Sequence, residues 1–162
     1  YVAHPLFPIE KVAAVINMDV VPLWGENNDV TITGYGQSNL DSLVAVIARK
    51  QGRYIMPDPD ASNGMFYRSD HLPFMRRGVP AMFAKGWNDN RQHGKAWSAE
   101  RVKDYWANTY HKPTDQTHPE SDDYGGLLQE VRLFFELGYR LAEGHDYPRW
   151  NPKSEFGQIL ER

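Results

Sequence analysis

The pattern of apolar and polar residues predicts four β-strands separated by helices and loops. The longest apolar run, Lys11–Val21, is rich in valine and predicts a strand that is buried on both faces. Asn28–Gly34 alternates valine and isoleucine with threonine, which indicates a second strand nearer the edge of a sheet. Two shorter apolar segments, Tyr54–Met56 and Pro80–Ala84, are predicted as the remaining strands.

Several segments carry the apolar spacing and end signals of helices. The clearest begins at Ser38, which forms a capping-box-like pair with Asp41, and ends at Gly52. The others follow in chain order: a short helix capped by Ser69-Asp70, a helix capped by Ser98, and a long helix over Asp122–Glu143. Strands that alternate with helices predict one α/β domain, and four strands are about half of a normal sheet.

Composition and charge exclude several classes of function for this chain. The 162 residues are 41% hydrophobic and 24% charged, as in an ordinary globular domain. The net charge is −3 and basic residues form only short pairs, so no nucleic-acid surface is predicted. No apolar run approaches the ~18 residues of a membrane-spanning helix. The absence of cysteine excludes disulfides and thiolate metal sites.

The first group of residues suited to chemistry, Asn17-Met18-Asp19, lies at the end of the longest predicted strand. The carboxyl ends of strands in α/β sheets open onto the ligand crevice, so the Asp19 carboxylate is well placed for a metal or a charged substrate. Taken alone, an aspartate at this position is more often a turn or cap residue.

Two further groups combine histidine with carboxylates. In the segment RSDH, Asp70 suits either a site or an anionic helix cap, and His71 suits either a site or a structural role. In the segment YHKPTD, His111 suits a metal ligand oriented by a carboxylate such as Asp115, but also an ordinary surface loop. No HExxH, P-loop, GxGxxG or GxSxG motif occurs.

In chain order, the segments INMDV, FYRSDHLPFMRRGVPA and YHKPTDQ resemble the C-terminal half of family-28 metallopeptidases, here of the bacterial two-zinc aminopeptidase type. Glutamate carboxypeptidases and glutaminyl cyclases are related members. The resemblance extends from Tyr1 to about Leu141 and implies a three-layer α/β/α fold of the zinc-exopeptidase, phosphorylase/hydrolase-like type, with a mixed, mostly parallel sheet, here incomplete. We expect residues 1–144 to form the C-terminal part of this domain and 145–162 its irregular tail.

The resemblance also implies a site with two zinc ions in the complete enzyme. Asp19 matches the aspartate that ligates one zinc, and His111 matches the histidine that ligates the other. Carboxylate oxygen and imidazole nitrogen are donors that zinc accepts. The other matched residues are expected to lie beside the ligands, to orient them or to line the substrate pocket: Asp70, Asp115, Tyr67 and Phe66.

Family members carry upstream motifs that this sequence does not show: an HxD segment, a bridging aspartate and a Glu-Glu pair whose first member is the general base. None occurs in the eighteen residues before Asp19, and Tyr1–Pro8 resembles the stretch shortly after the Glu-Glu pair. We therefore expect the chain to lack the catalytic glutamate and most zinc ligands. It should be inactive alone, with an open sheet edge where a missing N-terminal half pairs or copies self-associate.

The activity implied for the parent protein is metal-dependent hydrolysis at the free N-terminus of a peptide substrate. Two alternatives share the architecture: a glutaminyl-cyclase-like acyltransferase and a non-catalytic binding or assembly module. The cyclases typically have tryptophan before the metal-binding histidine, whereas Tyr110 precedes His111 here. A metal-free module has no need of both Asp19 and His111. From the family alone, an extracytoplasmic location, periplasmic or secreted, is expected.

Overall fold

The computed structural model describes residues 1–145, 147–157 and 159, and it contains the four predicted strands in one sheet. The strands are, in chain order, β1 (Val15–Asn17), β2 (Asp29–Ile32), β3 (Tyr54–Pro57) and β4 (Ala81–Lys85). Their spatial order is β1-β4-β2-β3. The pairs β1–β4 and β2–β3 are parallel and β2–β4 is antiparallel. These pairings confirm an α/β fold with a mixed, mostly parallel sheet.

The described residues also form four α-helices, which are α1 (Leu40–Lys50), α2 (Leu72–Met75), α3 (Gly94–Asn108) and α4 (Gly125–Glu143). Helices α1 and α4 enclose the main apolar core with one face of the sheet. The opposite face is covered by α3 and by the segment around α2, giving the expected three layers. In the described part of the chain, no helix combines the length and apolar character needed to cross a bilayer.

The first two predicted strands occupy each other's expected positions in the sheet. Within Lys11–Val21 only Val15–Asn17 forms a strand, and it lies at the edge of the sheet rather than buried on both faces. β2, expected nearer an edge, lies inside the sheet with all four residues buried. The alternation of β2 is misleading because its polar residues meet a buried polar layer. The Thr31 hydroxyl, for example, donates to the Asp29 carboxylate at 2.7 Å.

Helix α3 begins one turn before the predicted cap. Ser98 lies inside the helix, buried, and α3 starts at Gly94. Asn90 organises the turn before the helix, because its Oδ1 accepts from the backbone N of Gln92 at 3.0 Å and of His93 at 2.9 Å. The Ser98 hydroxyl in turn accepts from the Asn90 backbone N at 2.8 Å. No described side chain caps the start of α3, and Ser98 instead holds the turn that precedes the helix.

The other predicted caps are realised only in part. Ser38 Oγ accepts from the first amide of α1 at 3.3 Å, but the Asp41 carboxylate accepts from the backbone N of Gly36, at 2.6 Å, instead of closing the capping box. No side chain caps α2, because Ser69 donates to the Met65 carbonyl at 3.0 Å. Helix α4 begins three residues after the predicted start.

The chain after α4 packs against the domain without forming a helix or strand in its described part. Trp150 Nε1 donates to the Gly78 carbonyl at 2.9 Å, and Phe156 is buried in a second apolar cluster with Phe66 and Met75. Part of the segment predicted to be an irregular tail lies outside the described residues, namely Asp146, Gln158 and 160–162.

A buried ion pair joins α4 to the sheet. Arg53 Nη2 lies 2.5 Å from Glu130 Oε1, and both side chains are at most 1% exposed. The Arg53 guanidinium also donates to the Asp29 carbonyl, at 2.7 and 3.1 Å. Glu130 accepts in addition from the Gly86 backbone N at 2.8 Å. Because both charged groups are removed from water, the loss of either partner would leave an uncompensated buried charge and destabilise the fold.

Replacing Glu130 with glutamine should lower the free energy of unfolding by about 3–5 kcal/mol, because Arg53 would keep its charge in a site closed to water. Urea denaturation monitored by tryptophan fluorescence measures this change. The matched control is Glu136→Gln, which breaks the exposed pairs with Lys50 and Arg140 and should have a much smaller effect. Equal effects of the two substitutions would contradict a structural role for the buried pair.

Candidate functional site

Asp19 and His111 lie on two loops that adopt strained backbone conformations. Asp19 follows β1 by two residues and is half-buried, and the next residue, Val20, has a φ of +52°. His111 is exposed in the turn after α3 and has a φ of +56°. In the described part of the chain these are the two non-glycine residues with positive φ. A left-handed conformation is unfavourable for valine above all, because its side chain branches at Cβ.

The charge of Asp19 affects three titratable side chains that belong to different elements. Burial lowers the pKa of His71, lowers the pKa of Lys85 to about 8 and raises the pKa of Tyr105 to about 12. The negative charge of Asp19 acts on all three, opposing the effect of burial on the two basic groups.

The His111 ring is held by aromatic stacking. It lies on the Tyr110 ring with a centroid distance of 3.8 Å and an interplanar angle of 18°. Tyr110 packs in turn against Trp106, at 4.6 Å. The structure shows no hydrogen bond between His111 and Asp115, the residue expected to orient it. Asp115 instead lines a cleft of about 430 Å³ between the segment after Asp19 and the loop that carries His111.

The three other predicted residues, Asp70, Tyr67 and Phe66, do not line this cleft. Asp70 is exposed, and Tyr67, also exposed, donates its hydroxyl to Glu155 at 2.8 Å. Phe66 is buried over Gly34, where an added Cβ would come within 2.1 Å of the phenyl ring. This close approach, together with a φ of +83°, explains the need for glycine at that turn.

His71, beside Asp70, is fully buried. Its ring lies 5.4 Å from the ring centroids of both Phe66 and Phe83. Neither ring nitrogen makes a well-formed hydrogen bond, although the Phe66 carbonyl is close enough to oppose the lowering of the His71 pKa by burial. A neutral imidazole in an aromatic environment is consistent with a structural histidine.

The donors present are of the right type for zinc but too few. A carboxylate and an imidazole are both accepted by zinc, whose sites use at least three protein ligands. Among the described residues, no group of three or more His, Asp or Glu side chains comes together in a way that could hold a metal ion. This chain alone therefore does not fit a complete zinc site, and further ligands would have to come from outside these residues.

Lys85 is a residue of interest that the sequence analysis missed. It ends β4, it is 2% exposed, and its Nζ has no hydrogen-bond partner among the described residues. The ammonium group lies 4.4 Å from the ring centroids of Phe83 and of Trp87. Two cation–π contacts contribute about 1–4 kcal/mol, whereas removing an ammonium from water costs several kcal/mol. The alternation of Phe83, Lys85 and Trp87 is the sequence signal for this arrangement.

A second cavity, of about 470 Å³, lies between α3 and the loops that follow β3 and β4. Its apolar walls include Trp87, Val102 and Trp106. Its polar lining includes Asp58 and Asn88. The cavity is large enough for an amino-acid side chain and part of a peptide backbone.

A carboxylate and an imidazole on strained loops are donors that a metal-dependent hydrolase can use. Comparison with known families matches residues 1–131 to Peptidase family M28, so the chain belongs to this family of metallopeptidases. Its members hydrolyse peptide bonds and generally depend on zinc. No curated protein and no solved structure matches the chain.

The burial of Lys85 should make stability depend on pH. Its pKa is about 8 in the folded protein and 10.5 for an ordinary lysine, so the folded state binds the proton less tightly than the unfolded state. The free energy of unfolding should therefore rise as pH increases from about 8 to about 10.5.

Lys85→Met should remove this rise and stabilise the protein at pH 7 by roughly 1–3 kcal/mol. Urea denaturation at several pH values between 7 and 10.5 measures both effects. The exposed Lys103→Met, on the rim of the second cavity, should leave the pH dependence unchanged. Parallel curves for the native protein and Lys85→Met would contradict the burial of a titrating ammonium.

Proposed function

We propose that this chain is part of a metal-dependent aminopeptidase in which Asp19 and His111 each bind one of two zinc ions. The main support is that backbone strain coincides with both residues, at Val20 beside Asp19 and at His111 itself. Such a conformation costs on the order of 1–3 kcal/mol and persists only where the surroundings impose it, which is most frequent at functional sites.

The cleft next to these two loops is lined by neither Asp19 nor His111, and its charge supports a substrate with a free N-terminus. Three aspartates line it, Asp104, Asp115 and Asp122, against one arginine, Arg101, which lies over the Trp24 ring. The excess of negative charge attracts an ammonium group and repels the terminal carboxylate of a peptide. This balance supports cleavage at the amino end rather than at the carboxyl end.

Tyr105 is suited to act as a hydrogen-bond donor in the same cleft. It is half-buried, and burial together with the charge of Asp115 raises the pKa of its hydroxyl to about 12. The hydroxyl therefore keeps its proton at neutral pH and can donate to a substrate carbonyl. When bound, zinc would supply an activated water and polarise that carbonyl.

We further propose that the open edge of β1 is where additional structure pairs with this chain, either the rest of the domain or a second copy. Gly138 of α4 lies over Ile16 of β1, and a Cβ at that glycine would be 3.8 Å from Ile16 Cδ1. Val131 and Phe135 lie on the same helical row as Gly138 and are 46% and 74% exposed. An added strand beside β1 would cover this apolar row.

In the complete protein that contains this chain, Asp19→Asn and His111→Gln should each lower kcat/KM for an aminoacyl-anilide at least about 100-fold, because each removes a metal ligand. A chelator should abolish hydrolysis, and added zinc should restore it. His145→Gln, at an exposed histidine that does not line the cleft, is the matched control and should retain activity. Full activity of both ligand variants would remove Asp19 and His111 from the site.

The isolated 162-residue chain should bind zinc far more weakly than complete structural sites, whose binding free energies are about 10–16 kcal/mol, because it offers one ligand to each ion. Isothermal titration with zinc, and an assay with an aminoacyl-anilide, test this expectation. Tight binding, or chelator-sensitive turnover by the chain alone, would show that it contains a complete site.

A further inference from the structure

The charged lining of the 470 Å³ cavity is mainly acidic. Asp58 and Asp60 lie on the loop after β3, and against them the described lining offers Lys103, which is exposed on α3. An exposed lysine side chain is free to turn into solvent, whereas the two aspartates are on a loop whose hydrogen bonds fix it. The excess of negative charge attracts a cationic ligand.

The Asp58 carboxylate is half-buried and held in one orientation. Its two oxygens accept from the Thr33 hydroxyl at 3.2 Å and from the Asp60 backbone N at 2.9 Å. Both donors are neutral, so these bonds orient the carboxylate without neutralising its charge. Each carboxylate oxygen can accept a further hydrogen bond. Asp58 is therefore oriented in advance for a charged donor.

The buried Lys85 ammonium group does not line this cavity, although it lies 4.4 Å from the centroid of the Trp87 ring in the cavity wall. Burial lowers the pKa of Lys85, and the negative charges of Asp19, Asp58 and Glu130 oppose that effect. Asp19 and Glu130 also lie outside the cavity lining, so Lys85 is not compensated by Asp58 alone. The carboxylates at the rim therefore keep negative charge for a ligand.

The walls of the cavity present flat aromatic surfaces. The Trp87 and Trp106 rings meet at an interplanar angle of 80°, with their centroids 5.7 Å apart, and Val102 adds an apolar side chain. Because Lys85 already lies over Trp87, Trp106 is the ring suited to a second cation. A planar guanidinium group stacks on an aromatic face and pairs with a carboxylate, which a lysine ammonium group does less well. The lining therefore matches an arginine side chain.

The residues of the cavity wall also support both loops of the proposed metal site. Trp106 packs against Tyr110, which in turn stacks on His111. Trp87 lines a small neighbouring cavity together with Val20, which follows the other proposed ligand. Only two ring contacts separate the cavity wall from His111. A substrate residue bound in the cavity would thus be close to the metal site.

We propose that this cavity binds the arginine side chain of a peptide substrate, with Asp58 and Asp60 receiving the guanidinium group and Trp106 stacking on it. The preferred substrates would then be peptides with arginine at or next to the free N-terminus. This substrate class rests on the proposed aminopeptidase function, whereas the binding of an arginine side chain by this chain does not.

Binding can be measured on the 162-residue chain by NMR, following the indole N–H signals of Trp87 and Trp106. The guanidinium group is the only charge of Nα-acetyl-L-arginine amide, and Nα-acetyl-L-citrulline amide replaces that group with a neutral urea of similar shape. The arginine derivative should bind at least about tenfold more tightly, because its bonds to the carboxylates are charge-assisted. Equal binding of the two derivatives, or binding of neither, would overturn the proposal.

Two variants at the cavity and one control identify the residues responsible. Asp58→Asn should abolish the preference for the arginine derivative, and Asp60→Asn, at an exposed position, should reduce it severalfold. Glu100→Gln, at an exposed residue of α3 that does not line the cavity, should retain it. Circular dichroism establishes which variants are folded, and Asp60→Asn decides alone if Asp58→Asn does not fold. Full preference in the folded cavity variants would show that other groups bind the guanidinium.

In the complete protein, Asp58→Asn should lower kcat/KM for an arginyl-anilide about tenfold more than for a leucyl-anilide. Equal effects on the two substrates would contradict a role in specificity. The acetylated derivative has no free N-terminus, so its binding does not depend on the reaction. Binding of this derivative by a complete protein that shows no metal-dependent hydrolysis would preserve the site and refute the aminopeptidase function, so the two failures are distinguishable.

Discussion

The buried carboxylate of Asp29 is the interaction on which the arrangement of the candidate site depends. Asp29 is inaccessible to solvent at the start of β2, and a buried carboxylate requires several donors. Two of them are the backbone N atoms of Asn88 and Asp89, at 3.1 and 2.8 Å, in the loop after β4. The carbonyl of the same residue accepts from Arg53, which pairs with Glu130 of α4. One residue therefore fixes the loop beside Trp87 and links the sheet to α4.

A continuous series of ring contacts extends from this loop to the predicted ligand on the far side of α3. Trp87 lies 5.7 Å from Trp106, Trp106 lies 4.6 Å from Tyr110, and Tyr110 stacks on His111 at 3.8 Å. Aromatic pairs contribute about 0.5–1.5 kcal/mol each beyond the area that they bury. The position of His111 is thus coupled to the core through packing, which explains how its ring is oriented without a hydrogen bond to Asp115.

The sequence predicted which segments form strands and helices more successfully than it predicted where those elements lie and which side chains are buried. Four strands and the main helices follow from apolar spacing, because that spacing records which side chains face the core. The position of β2 inside the sheet could not be predicted, because an alternation of threonine and isoleucine is also what a solvated edge strand shows. The alternation of Phe83, Lys85 and Trp87 places the lysine between aromatic residues, but its burial was not predicted, because lysine is almost never fully buried. For the candidate site, the three motifs identified the family, but the residue spacing carried no information on which side chains meet.

Backbone strain distinguishes the candidate site from the rest of the described structure. Glycine at position 20 would relieve the backbone strain there, and an apolar residue at position 85 would remove a desolvated charge. Neither Val20 in a left-handed conformation nor Lys85 without a hydrogen-bond partner stabilises the chain by itself. Backbone strain of this kind is found where function requires a specific backbone position. Backbone strain at Val20 and at His111 therefore supports the proposed roles of Asp19 and His111 more strongly than the sparse set of metal donors does.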